Sequence, residues 1–175
     1  MQDNTVVIGL DPAFREGGFG AATIENGVVT FGTIRNFADF LGWCDAVDIM
    51  NIGNDVLWCV ENSNLDNTTY EYLRGGNTRT LMAKSRDVGK NQAISQVVCD
   101  YLVKKFGAEN VTAISPRQKG AKWGVFNGKR NMSIAREIAR TVGEQSGLKS
   151  IGWQTATPDE VDAFQVAMHL FHRIK

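Results

Sequence analysis

Residues 18 to 33 read G-F-G-A-A-T-I-E-N-G-V-V-T-F-G-T. Two β-rich runs, 18–25 and 28–33, flank Asn26-Gly27, the dipeptide best suited to a two-residue hairpin turn with positive φ at both central positions. A hairpin is expected here, and the flanking chain has to supply the rest of a sheet. Upstream, T-V-V-I-G-L (5–10) reads as a strand. Downstream, 36–47 carries apolar residues at helical spacing, and D-V-L-W-C-V-E (55–61) is a nearly continuous apolar run, as in a strand covered on both faces. Residues 87–106 form an amphipathic pattern that stops at Gly107, and 110–115 is a strand halted by Pro116. Helical patterns cover 132–142 and the end of the chain from 158. The polar stretch 62–85 and the basic stretch 117–130 read as loops. The order β-β-β-α-β-α-β-α-α predicts an α/β fold: a five-stranded mixed sheet, three antiparallel strands and then parallel ones, flanked by α-helices.

The chain of 175 residues suits one domain, 1–175. It has no run of apolar residues long enough for a membrane span, and its opening lacks the pattern of a signal peptide. Cys44, Cys59 and Cys99 lack metal-ligand spacing and read as free core thiols in a reducing, cytoplasmic compartment. The formal net charge is zero, but the charges are segregated. Residues 1–73 hold two basic and eleven acidic side chains, and residues 74–136 hold thirteen and three. Residues 137–175 hold four and five. A basic middle third with acids on both sides suits a polyanionic partner, or else a solvated helix face and a charged loop.

The acids fall at telling places. In T-P-D-E-V-D-A-F-Q-V-A-M-H (157–169), Thr157 is an N-cap, Pro158 suits the first helical position and Glu160 completes a capping box. That explains Glu160 and part of Asp159, but not Asp162, which lies beyond the cap on the same helix edge as Asp159. Asp11 follows the first strand and Glu61 ends the fourth, and in this topology those strands are neighbours. Each acid singly suits a strand end or a helix start. Jointly, four converging carboxylates would raise one another's pKa unless a cation neutralised them. All-oxygen ligation suits Mg²⁺, and two such ions roughly 4 Å apart promote phosphodiester hydrolysis.

These residues carry a family resemblance. V-V-I-G-L-D-P-A-F-R-E-G-G-F-G-A resembles the opening of RuvC-type Holliday junction resolvases, W-C-V-E-N their strand ending on a metal-binding Glu, and M-A-K-S with V-G-K-N-Q the segment leading into the next helix. D-E-V-D-A-F-Q-V-A-M-H resembles their closing D-x-x-D-A-x-x-x-A signature. The landmarks run in order from 6 to 169. The resemblance implies an RNase H-like fold, a homodimer, and two Mg²⁺ per active site, with Mn²⁺ able to substitute. It further implies structure-selective cleavage of four-way DNA junctions by paired nicks, in DNA recombination and repair. Asp11, Glu61, Asp159 and Asp162 would be the metal ligands. The location would be the cytoplasm, at the nucleoid, or the host cytoplasm for a phage-encoded enzyme.

The chain departs from the pattern in two places. The usual D-P-G reads Asp11-Pro12-Ala13, and the stretch between Glu61 and Met82 is longer than in the bacterial enzymes; the divergence looks like that of a phage-type member. In the family that stretch carries an aromatic residue that enters the junction, with Tyr70 and Tyr72 as candidates here. The basic stretch after Pro116 corresponds to a loop of junction-binding and catalytic lysines. Lys119 best matches the first of these, with a catalytic role, and Lys129 or Arg130 the second. The expected DNA contacts are Tyr70, Tyr72, Arg74, Lys84, Lys90, Arg117, Lys119, Lys122, Lys129 and Arg130.

Other features are weaker. Trp123 and Phe126, among basic side chains, suit base stacking or packing equally. His169 and His172 lack a third nitrogen or sulfur ligand and read as a polar helix face. Gly17, Gly18 and Gly20 lead into a strand rather than a helix, so they suit a tight turn rather than a phosphate cradle. A sugar-kinase or ATPase lobe would need a second lobe that this length does not provide. A non-catalytic junction-binding module, and a nuclease acting on other branched DNA or RNA–DNA hybrid, are the alternatives to a junction resolvase.

Overall fold

A computed structural model describes residues 5–13, 18–65, 77–121, 132–150 and 152–174. The hairpin forms where Asn26-Gly27 places it: both residues have positive φ (48° and 74°), and they join β2 (Phe19–Glu25) to β3 (Val28–Ile34). β1 (Thr5–Asp11) lies antiparallel to β2 and parallel to β4 (Asp55–Glu61), which is parallel in turn to β5 (Val111–Ile114). The five expected strands are present. A sixth, β6 (Lys149–Ser150), pairs with β3 through two residues and completes the order β5-β4-β1-β2-β3-β6. Two residues are too few to show any periodicity.

Strand alternation divides the core into two clusters. Val6, Ile8, Leu10, Trp58 and Val60 face α1 (Phe37–Met50) and α2 (Thr78–Phe106). Val7, Ala22, Ile24 and Cys59 face α5 (Pro158–Ile174), with α4 (Met132–Gln145) packed alongside. Between β5 and α4 stands a short helix, α3 (Pro116–Ala121). No described helix is long and apolar enough to cross a membrane.

Two expected loops, 62–85 and 117–130, are corrected in part; 66–76 and 122–130 lie outside the described residues. Residues 78–85 are helical: Asn77 caps α2, its side chain accepting the Thr80 N–H at 3.0 Å, and the helix runs 29 residues. Nearly all of its first half is exposed, so no apolar periodicity marks it in the sequence. Residues 116–121 are helical as well, so Lys119 sits on a helix and not in a loop. The apolar faces of α2 and α4 go to the core, through Ile94, Val98 and Leu102 on one and Ala135 and Ala139 on the other.

Candidate active site

Alternation along β1 and β4 aims the acids. Val7, Gly9 and Asp11 share one face of β1, and Cys59 and Glu61 share the same face of β4. That face carries α5. The parallel register pairs Leu10 with Val60, so Asp11 and Glu61 come next, side by side. Asp11 is the last residue of its strand rather than the first after it.

α5 is brought down onto this edge by glycine. A Cβ at Gly9 would collide with the Ala163 carbonyl and the Ala167 backbone, and one at Gly20 would collide with the Asp159 carbonyl. Gly20 is the β2 partner of Asp11, so the first turn of α5 rests one strand from Asp11. This replaces the tight-turn reading for Gly20. Gly18, with φ 75°, opens β2, and Gly17 lies outside the described residues.

The capping box is present. Thr157 N–H donates to Glu160 Oε2 at 2.7 Å, and Glu160 N–H donates to Thr157 Oγ1 at 3.3 Å. Glu160 Oε1 also accepts from Thr33 Oγ1 at 3.0 Å, tying the start of α5 to β3. Arg136 Nε donates to the Ala156 carbonyl at 2.8 Å, holding the approach to the helix. Asp159 and Asp162 are both buried, at 8% and 4% exposure. A surface helix start would leave such acids in water.

Lys119 stands at the centre. Its ammonium pairs with Glu61 at contact distance, with Asp162 at 3.3 Å and with Asp11 at 3.9 Å, and all four side chains are nearly buried. A second capping box aims it: Ser115 N–H donates to Gln118 Oε1 at 2.8 Å, and Gln118 N–H donates to Ser115 Oγ at 3.2 Å. S-P-R-Q (115–118) thus repeats the pattern of T-P-D-E (157–160), a signal that would have located α3 in the sequence. β5 is held beside Glu61 by the bond from Asn62 N–H to the Ile114 carbonyl, 2.8 Å.

Three carboxylates around one ammonium leave the group net negative. Burial, and after it the Asp11 charge, push the Glu61 carboxyl up to about 7, against the opposing pull of Lys119. Burial opposes the Lys119 ammonium, but Asp11, Glu61 and Asp162 together outweigh it and raise its pKa. The donor set is all carboxylate oxygen, which fits a hard divalent cation in type. Among the described residues, no three His, Cys, Asp or Glu side chains are arranged to hold a metal ion as they stand. The point where the carboxylates converge is taken by Lys119 Nζ.

Lys84, Lys90 and Arg117 are exposed on α2 and α3. Arg79 and Arg86, not singled out from the sequence, are exposed on α2 as well. Tyr70, Tyr72, Arg74, Lys122, Trp123, Phe126, Lys129 and Arg130 lie outside the described residues. The three cysteines are free and buried, as expected. His172 is exposed, its Nε2 3.2 Å from Ser146 Oγ, and His169 is half-buried. No protein-family model matches the chain, and no curated protein matches it.

Proposed function

We propose that the chain is a RuvC-like, Mg²⁺-dependent endonuclease of RNase H-like fold that cuts four-way DNA junctions, working as a homodimer in the cytoplasm. One observation carries the reading: Asp11, Glu61 and Asp162, from two adjacent strands and the closing helix, converge on a single cationic group in a buried cluster. The resemblance requires these same residues, in this order, as ligands. Asp159, buried on the same helix turn as Glu160, is the fourth.

Bound at these carboxylates, divalent metal would supply Lewis-acid stabilisation of phosphoryl charge and lower the pKa of a bound water. The chain's own residues do the rest. Two strand ends and a capped helix bring the carboxylates together from three separate elements, and preorganised charge of this kind is what stabilises a developing charge in a reaction. Lys84 and Lys90 on α2 and Arg117 on α3 expose positive charge, suited to DNA phosphates. Two identical sites related by a two-fold axis would match the symmetry of a four-way junction and yield paired nicks.

The decisive assay uses purified protein with Mg²⁺ on labelled four-way junction, fork, linear duplex and RNA–DNA hybrid. Cleavage of the junction is expected to dominate. Asp11→Asn and Asp162→Asn should each lower it by at least about a hundredfold while junction binding persists. Wild-type rates in both variants would remove the metal assignment, and preference for hybrid would change the substrate.

A further inference from the structure

Three carboxylates aimed at one buried point without a cation would repel one another. Here the neutralising charge comes from the chain itself. Lys119 reaches the cluster from α3, a helix that contributes no carboxylate to it. Its contacts run to all three elements that carry the acids: β1 through Asp11, β4 through Glu61 and α5 through Asp162. It therefore holds the cluster together across the sheet edge. A divalent ion bound by the same oxygens would lie where Nζ lies, and two cations do not share one such point. A lysine is suited to yielding the place: its charge is compact, and it rides on a flexible four-carbon stem.

We propose that Lys119 is a resident counter-cation for Asp11, Glu61 and Asp162, which a divalent metal must displace, so that the free protein binds metal weakly. The proposal rests on the metal-site reading above. It assigns Lys119 a role in the empty protein that is separate from any contact with a scissile phosphate. Two consequences follow by linkage. Removing the ammonium should tighten metal binding, because the competitor is gone. It should also weaken the metal-free fold and make its stability depend on added metal, since binding to the native state alone stabilises it.

The test measures metal binding without DNA and without turnover. Mn²⁺ is titrated into wild-type protein, Lys119→Met and Lys119→Arg, with free Mn²⁺ read by electron paramagnetic resonance, and each protein is melted with and without Mg²⁺. Lys119→Met is expected to bind Mn²⁺ at least about tenfold tighter than wild type, to melt lower when metal-free, and to gain more from Mg²⁺. Lys119→Arg, still cationic, should stay near wild type. If the Met variant folds only when metal is added, that also supports the competition. Equal Mn²⁺ affinity in wild type and Lys119→Met overturns the proposal while leaving the metal site standing. Binding by neither protein overturns both. Should the Met variant not fold under any condition, wild-type protein with ¹³Cε-labelled lysine decides. Mg²⁺ is expected to shift the Lys119 resonance selectively, and a resonance unmoved at saturating Mg²⁺ overturns the proposal.

Discussion

On the face covered by α1 and α2, large rings fill the space between sheet and helices. Trp58 stands 4.9 Å from Phe106 and 5.5 Å from Trp43, and Phe40 packs 5.8 Å from Phe19 and 5.7 Å from Tyr101, centroid to centroid. On the opposite face α5 rests on bare backbone at Gly9 and Gly20, while Phe31, Trp153 and Phe164 pack together where β3 runs. Bulk holds helices at a distance and tolerates small adjustments. Direct contact with backbone fixes a helix against the sheet, which is what a group of acids meeting across three elements needs. The aromatic face is built for stability, and the glycine face for position.

The largest expected effect lies on the aromatic side. Trp58 is fully buried, so Trp58→Ala should cost about 3–5 kcal/mol of unfolding free energy. The fraction that still folds should keep the geometry of the carboxylate cluster and, on the proposed metal-site reading, its affinity for Mn²⁺. Denaturant unfolding and Mn²⁺ titration measure the two quantities. Loss of metal affinity in folded protein would show that the two faces are not independent.

Gly20→Ala reverses the balance. The new methyl meets the Asp159 carbonyl, and overpacking of this kind costs about 1–3 kcal/mol, less than the tryptophan deletion. If the chain is the nuclease proposed above, cleavage should nevertheless fall by at least about tenfold, because α5 and both of its aspartates are lifted off the sheet. Full activity in this variant would mean that the close approach serves packing alone.

The smallest effect separates the thiols. Burial pushes Cys44 and Cys59 up to about 12 and Cys99 up to about 11; a hydrogen bond from Asn62 tempers the last. A thiol whose pKa is raised on folding keeps its proton where the unfolded chain loses it. Each therefore stabilises the fold fully below about pH 9, and the contribution is lost as pH rises toward 11 to 12. In native protein at pH 8, iodoacetamide should modify Cys99 first and Cys59 no faster than Cys44. Peptide mass mapping over time gives the order, and rapid labelling of Cys59 would show that the sheet opens on the α5 side.

Asp11, Glu61 and Asp159 were legible because each ends or begins an element, and element ends are marked by turn and capping residues. The strand order alone sets Asp11 beside Glu61, and Asp162, which the cap does not explain, points to the closing helix. Lys119 was legible as a residue but not as a position. A basic stretch reads as solvated loop unless its capping box is noticed, and α3 is too short to show helical periodicity. The start of α2 was hidden for a different reason: nearly all of it is exposed, so no apolar stripe exists to be seen. Gly20 was misread because a glycine in a strand looks the same whether it serves a turn or a passing helix. What distinguishes the two is a contact 139 residues away in the chain.

The alternation of β1 works as a two-letter code, one letter for the face under α1 and α2 and the other for the face under α5 that ends in the site. Val6, Ile8 and Leu10 spell one message, and Val7, Gly9 and Asp11 the other. Losing a single residue within this strand would exchange the messages, presenting Leu10 to the carboxylates and turning Asp11 toward Phe19 and Phe40. Losing two would keep the sense and shift only the place. Over these seven residues, then, the chain can change its spelling letter by letter, but its length only by even steps.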